Sequence, residues 1–399
     1  MSMSTTPRAS DISKLLEAVP DPELGSNIVD LGMVGDITIS DGTVTIPIKL
    51  TIASCPLRGE IRDAVTERIN GIPGVDKVKV VTTEMTQEER SALMDRARRA
   101  AADRAPDTEI PPTTRVIAVA SGKGGVGKSS VTANLAAAVA RSGHVVGVLD
   151  ADIWGFSIPR LLGASDRLGG EDGKIDPIEI PITTVAPASS GSATNDPPAG
   201  MIKMVSMGSL VEEEDKALMW RGLILAKAVE QFLTDVRWGE LDYLFIDMPP
   251  GTGDIQMALS RLLPRAELIV VTTPPKNAQR VASRVADMAR RSYLKVIGVV
   301  ENMSSLICAH GERIDVFGSG GGQALADSLG VPLLGSIPLE PSVSIDGDEG
   351  TPVVLGHPDS IAAARFEAIA DRIIDEIAPI RSMEGCTARM LAAIENSPS

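Results

Sequence analysis

The sequence predicts an α/β protein: a doubly wound, mostly parallel sheet preceded by a small α+β domain. Three observations carry this reading. From residue 115 onward, apolar runs alternate with helical patterns, as strand–helix units of a parallel sheet do. One of these junctions, between Ala120 and Ser130, is glycine-rich. Residues 11–81 instead read helix, strand, strand, helix, strand, a unit of small-domain size.

Residues 1–10 form a polar leader. Asp11 to Val19 is helical, with Ile12, Leu15, Leu16 and Val19 on one face. Val34 to Ser40 and Thr43 to Thr51 alternate as strands, and Asp41-Gly42 between them signals a two-residue hairpin. A helix from Pro56 to Asn70 stops at Gly71, and Val75 to Val81 is a third strand. The first domain is thus expected over 10–85. Thr86 to Asp103 is a charged helix, followed by the proline-bearing run Ala105 to Pro112. Residues 86–113 read as a semi-rigid linker whose charges form a solvated face.

The larger domain is expected over 114–381, with 382–399 a loosely held tail. It opens with the strand Val116 to Ala120, the glycine loop, and an alanine-rich helix from Ser130 to Ala140. His144 to Leu149 is a strand ending in Asp150-Ala151-Asp152. Ile180 to Gly200 reads as a surface loop, and Ala217 to Asp235 as a helix. The strand Leu241 to Ile246 ends at Asp247, ahead of a short helix from Ile255 to Leu263. The strand Glu267 to Thr272, helix Asn277 to Ser292 and strand Leu294 to Glu301 continue the alternation. A loop over 302–320, the helix Gly321 to Leu329, the strand Pro332 to Ile337 and a final helix Ser360 to Ile377 complete it.

The 399 residues are 43% hydrophobic, ample for two cores, and carry a net charge of −15. That balance disfavours a general binder of nucleic acid or anionic membrane. The polar N-terminus has no apolar signal core, and no run of 18 apolar residues marks a span. Three widely spaced cysteines make no disulfide framework, so the expectation is a cytoplasmic protein with free thiols.

The chemistry converges on the strand ends, where such sheets bind ligands. Gly122, Gly127, Lys128 and Ser129 fit the pattern G-x-x-x-x-G-K-[ST]. Gly124, Gly125, Val126 and Ser130 complete a loop whose backbone N–H groups can curl around phosphate oxygens, aided by the helix N-terminus. Lys128 would reach the β/γ-phosphates and the Ser129 hydroxyl would ligate Mg²⁺. Asp247, after an apolar strand, suits a role in holding Mg²⁺ through its water shell. Asp152 is preferred to Asp254 for positioning the attacking water, since an Asp opening a helix is often a cap. Asn302 suits either a base edge or the capping of a strand. Gly251 and Gly253 allow a loop to rearrange when the γ-phosphate is lost. Cys55, ahead of Pro56 at a helix start, is either a reactive or metal-binding thiol or a buried structural one.

The run Gly122-Lys123-Gly124-Gly125-Val126-Gly127-Lys128-Ser129 resembles the deviant Walker A class of nucleotide switches, which includes ParA, MinD, the nitrogenase iron protein and the Mrp/ApbC iron–sulfur carriers. Asp150 to Gly155, Trp220-Arg221-Gly222, Asp247 to Asp254, Glu301 to Ser304 and Phe317 to Gly321 are similar to Mrp/ApbC in particular. Asp21-Pro22-Glu23, Asp30-Leu31-Gly32 and Cys55-Pro56 resemble the small iron–sulfur-assembly domain that often precedes that ATPase. The resemblance spans about residues 10–380. It implies a P-loop NTPase that binds and hydrolyses ATP with Mg²⁺ as a nucleotide-switched homodimer. It also implies an iron–sulfur cluster as cargo, and iron–sulfur apoproteins or assembly proteins as partners. Lys123 would be the signature lysine that reaches across the dimer to the partner's phosphates, as an arginine finger does.

One departure bears on the cargo. Cluster-carrying members usually have Cys-x-x-Cys shortly after the Asn-Met-Ser segment, where two pairs give four thiolates. Here the run is Ile307-Cys308-Ala309-His310-Gly311-Glu312, with one cysteine. Cys308 and His310 from two subunits would give a Cys₂His₂ set, and Cys55 or Cys386 could supply further ligands. Trp154, Phe156 and Leu223 also differ from the family's more usual Tyr, Pro and Pro. Two alternatives stand beside the carrier: an ATP-switched scaffold without a cluster, and a positioning ATPase of the ParA/MinD kind.

Overall fold

The computed structural model describes residues 7–380 apart from 23–25, 52–56, 103–106, 154, 165–167, 184–198, 211–221, 251–253, 276–283, 285–288, 290–293, 309 and 311. The chain divides into two compact units, Met1–Ala105 and Pro106–Ser399.

The first unit contains α1 (Ala9–Leu16), β1 (Thr38–Ser40), β2 (Thr43–Leu50), α2 (Arg58–Ile69), β3 (Lys77–Glu84) and α3 (Gln87–Ala102). β2 lies between its partners, antiparallel to β1 and parallel to β3. The Asp-Gly turn forms as expected: Asp41 and Gly42 have φ of 47° and 70°, the positive pair a type I′ hairpin requires. β1 is shorter than its alternation predicts. Thr38 faces Thr45, but the next bridge pairs Val34 with Ile48, so the register slips by one residue opposite Pro47, which has no N–H to give. Val44, Ile46, Ile48 and Leu50 alternate inward from β2, against Ile12 and Leu16 of α1 and Ile61, Val65 and Ile69 of α2. Composition assigns α3 to a linker, yet Leu93 and Ala97, one turn apart, are buried in this same core. Lys49 of β2 pairs with Glu89 of α3 at 2.5 Å.

The second unit is built on an eight-stranded sheet. Its strands are β4 (Arg115–Ser121), β5 (Val145–Asp150), β6 (Ile178–Ile182), β7 (Gly200–Ser206), β8 (Tyr243–Asp247), β9 (Glu267–Thr272), β10 (Lys295–Glu301) and β13 (Leu333–Ser336). Their order is β13-β10-β9-β4-β8-β5-β7-β6, parallel throughout except for the antiparallel pair β6–β7. β11 (Leu306–Ile307) and β12 (Arg313–Ile314) form a separate hairpin, and the short helix α5 (Ile158–Leu161) follows β5. One face of the sheet packs Leu244 and Ile246 against Phe232 of α6 (Gly222–Thr234) and Leu259 of α7 (Asp254–Leu262). The other packs Tyr243 and Phe245 against Leu135 of α4 (Lys128–Arg141) and Phe366 of a helix at Ile361–Arg372. The strands are apolar almost throughout because both faces are covered.

Two stretches differ from expectation. Part of the region read as a surface loop from Ile180 to Gly200 belongs to strands: β6 ends at Ile182 and β7 begins at Gly200. β6 is an edge strand of alternating burial, and Pro181 is tolerated there because an edge leaves its missing N–H unneeded. Between the last strand and the last helix, two short helices form at Pro341–Asp348 and Val353–Gly356. Their sequence is a poor helix former in isolation, and tertiary contacts decide: Arg141 of α4 donates to Val354 O at 2.8 Å. The final helix is capped by Ser360, whose hydroxyl accepts from Ala363 N, and it widens into a π turn at Ile373–Ile377. Most of the helix expected from Asn277 to Ser292 lies outside the described residues.

Candidate nucleotide site

β4 and α4 hold the glycine loop between them, as the strand–loop–helix reading requires. Gly125 and Gly127 both have φ of 74°, the left-handed region that a side chain disfavours. Gly127 has a second constraint, since a Cβ there would lie 2.4 Å from Asn302 Nδ2. No atom would crowd a Cβ at Gly124 or Gly125, so this part of the loop faces open space. Lys123 is exposed, and its carbonyl accepts from Ser121 Oγ at 2.9 Å.

Three strand ends bring the chemistry together, because β4 pairs with β8 and β8 with β5. Asp247 closes β8 with no exposed surface. Lys128 Nζ lies 2.6 Å from its Oδ1, and Ser129 Oγ donates to its Oδ2 at 2.5 Å. Thr132 Oγ1 stands 3.0 Å from Asp247 Oδ1 and also from Lys128 O, with one proton to give. A buried carboxylate is therefore met by an ammonium and two hydroxyls, all from the first turns of α4.

Asp150 faces Asp247 directly across the β5–β8 ladder and is also fully buried. Burial and the neighbouring Asp247 carboxylate push Asp150 up, to about 7, against the pull of its hydrogen bonds. Its Oδ1 accepts from Asp152 N, and its Oδ2 from Ser157 N, Ile158 N and Ser206 Oγ, each at 3.2 Å. Asp152 is buried at the entry to that loop, where its Oδ1 accepts from Gly155 N at 3.2 Å.

The structure thus gathers Lys128, Ser129, Asp247 and, beside them, Asp150 and Asp152. Asn302 is near too, in a role the sequence did not indicate: its Nδ2 donates to Val126 O at 2.9 Å, tying the end of β10 to the glycine loop. Ser130 is half-buried, and its carbonyl accepts from Asn134. Sequence reasoning passed over Thr132 and Ser206. Thr132 lies three residues after Ser129, on the same helix face, and Ser206 ends an apolar run as the aspartates do.

Cys308 is not part of this assembly. It is half-buried at the end of β11, and its N–H donates to Glu312 O at 3.0 Å across the hairpin. His310 is exposed two residues on. Ile307, Ile314, Val316 and Phe317 on the same hairpin and its continuation are exposed apolar side chains. Among the described residues, no group of three or more His, Cys, Asp or Glu is placed to hold a metal ion within one chain. Cys55, Cys386, Trp154, Trp220, Arg221, Gly251 and Gly253 lie outside the described residues, and of Asp254 only its place at the start of α7 is described. No described helix is long and apolar enough to cross a membrane.

Residues 112–374 match the family described as NUBPL iron-transfer P-loop NTPase, and residues 9–80 match the iron-sulfur cluster assembly protein family. The chain is 44% identical over 370 residues to an iron-sulfur cluster carrier protein of Mycobacterium leprae, covering 91% of each chain. It is 39% identical over 365 residues to one of Synechocystis, covering 91% of this chain and 96% of that one. Among solved structures it is similar to a nucleotide-binding protein in complex with ADP from Archaeoglobus fulgidus, with 34% identity and a TM-score of 0.49 over 63% of this chain and 91% of that one.

Proposed function

The chain belongs to the iron-transfer P-loop NTPases, a family of iron–sulfur cluster carriers, and on that premise we propose that it binds ATP with Mg²⁺ at the 122–129 loop and hydrolyses it to gate the transfer of a cluster. The observation that carries the nucleotide half is the set around Asp247: Lys128, Ser129 and Thr132 gathered on one buried carboxylate below an open glycine loop. The Ser129 hydroxyl and the Asp247 carboxylate are hard oxygen donors side by side, a pair that fits Mg²⁺, with Asp247 acting through the ion's water shell. Held by these two residues, the ion would supply positive charge against the phosphates.

The chain's own residues do the rest. Backbone N–H groups of Gly124 to Ser129 line the phosphates. The Lys128 ammonium, paired with Asp247, is shared with β/γ-phosphate oxygens. Asp152 orients a water whose oxygen bonds to the γ-phosphorus as the bond to the β,γ-bridging oxygen breaks, leaving ADP and inorganic phosphate. In a homodimer, Lys123 of the partner subunit adds positive charge where the transition state needs it. Its exposure on the loop is consistent with reaching outward. The cargo site centres on Cys308. Two subunits would supply two such thiolates, and His310 of each would extend the set to Cys₂His₂.

The test is paired. Wild type should release phosphate from Mg-ATP, and Asp152→Ala should retain bound ATP without turnover. Anaerobically purified protein should carry iron and sulfide in a species of dimer mass. A monomeric protein without iron or sulfide that still hydrolyses ATP would leave the nucleotide half standing and refute the cargo half.

A further inference from the structure

The loop that carries Asp152 is fastened on the Asp150 carboxylate. It leaves β5 at Asp150 and ends in a short helix at Ile158–Leu161. Asp150 gathers both ends of it, accepting from Asp152 N at the start and from Ser157 N and Ile158 N at the close. What orients the Asp150 carboxylate from the far side is Ser206, the last residue of β7 and its neighbour across the β5–β7 ladder. Ser206 is fully buried, and its hydroxyl is well used: it donates to Asp150 Oδ2 at 3.2 Å and accepts from Gly208 N at 3.1 Å. Gly208 in turn lies under the ring of Phe156, in the middle of the same loop, where a Cβ would approach Phe156 Cδ2 to 2.4 Å. The turn after β7 therefore meets the loop twice, through a hydroxyl on Asp150 and through a glycine beneath Phe156.

We propose that Ser206 is a positioning residue for ATP hydrolysis: through Asp150 it fixes Asp152 N at one end of the loop and Ser157 and Ile158 at the other, and hence the place of Asp152. The inference rests on the hydrolysis reading above. A buried carboxylate with a fixed set of donors has one orientation. Without the hydroxyl, Asp150 keeps its backbone donors but loses the one that comes from outside its own loop. The loop can then shift relative to β7, and a displacement of about 1 Å at a water-orienting group costs up to about a hundredfold in rate. Phosphate binding would be spared, because Lys128 and Ser129 are held by Asp247 and the glycine loop by Asn302 instead.

Mg-ATP titrations of phosphate release on the full chain test this, with fluorescent nucleotide binding and thermal midpoint measured on each variant. Ser206→Ala should lower the midpoint yet stay folded at the assay temperature with its nucleotide affinity kept, while kcat falls on the order of tenfold or more. Ser206→Thr, which keeps the hydroxyl, should recover part of the loss. Gly208→Ala, which disturbs the loop through Phe156, should lower kcat in the same way. Unchanged kcat in Ser206→Ala overturns the proposal. So does a loss confined to KM, or a fall in kcat that tracks a lowered midpoint and is not recovered by Thr. A wild type that releases no phosphate overturns the hydrolysis reading itself, a result distinct from an active wild type matched by its Ser206 variants.

Discussion

Lys128 and Asp247 form a buried ion pair at 2.6 Å, with the lysine side chain 8% exposed and the aspartate not at all. The contact links the first residue of α4 to the last residue of β8, with β5, β6 and β7 between them in the chain. A pair so placed would serve two ends, with Lys128 as the proposed phosphate-binding lysine and as the counter-charge that makes Asp247 tolerable in the interior.

Lys128→Ala should therefore fail in two measurable ways. Phosphate release from Mg-ATP should fall to background. The larger unit should also unfold at lower urea concentration, because removing one member of a buried pair costs about 3 kcal/mol or more. The hydroxyls of Ser129 and Thr132 soften that cost without replacing a charge. Wild-type turnover in this variant would end the assignment of the site.

Gly127 offers a test that separates backbone from packing. At φ of 74° a side chain costs about 1–2 kcal/mol, and the Asn302 amide stands where its Cβ would go. Gly127→Ala should weaken nucleotide binding markedly. Adding Asn302→Ala should recover part of that loss by clearing the clash, leaving the φ penalty in place. If the double variant binds no better than Gly127→Ala, the contact with Asn302 does not shape the loop.

These contacts also show how far the sequence could be read. The glycine loop, Lys128 and Ser129 are consecutive, so their pattern is local and legible. Asp247 was legible too, because an aspartate closing an apolar strand falls at a sheet's ligand edge whatever the strand order. Asn302 was found as a residue but not in its role, since its partner Val126 is 176 residues away and nothing in the spacing pairs them. Ser206 was missed with its strand. β7 borders β5 only because the sheet order runs β8-β5-β7, and order is a property of the whole fold. The helices at Pro341–Asp348 and Val353–Gly356 escaped for a related reason. Glycines and aspartates in the first and β-branched valines in the second argue against helix locally, and tertiary contacts such as that of Val354 with Arg141 of α4 override propensity.

Cys308→Ser addresses the cargo and leaves the nucleotide site intact, because the hairpin β11–β12 shares no hydrogen bond in the described residues with Lys128, Ser129 or Asp247. After anaerobic reconstitution, iron and sulfide should drop to background and the visible absorbance of a cluster should be lost. Phosphate release should continue. Iron content equal to wild type would place the cargo elsewhere.

His357 supplies a pH-dependent latch behind α4. Its Nδ1 lies 2.7 Å from Asp346 Oδ2, joining the helices at Pro341–Asp348 and Val353–Gly356. The second of these helices gives Val354 N to Asn134 and Val354 O to Arg141, both on α4. The Asp346 carboxylate, by its hydrogen bond first and its charge second, holds the imidazole above its usual pKa. A group whose folded pKa is raised contributes stability that is fully present below the unfolded value, near 6.5, and that is lost as pH rises through the folded value. The imidazole is largely exposed, so salt and solvent keep the effect modest. His357→Gln should therefore lower the thermal midpoint most near about pH 5.5, where His357 is charged, and least near about pH 9. Thermal melts of both proteins across that range measure it. A difference that stays constant with pH, or grows toward alkaline pH, would show that the pair does not stabilise this corner through the protonated imidazole.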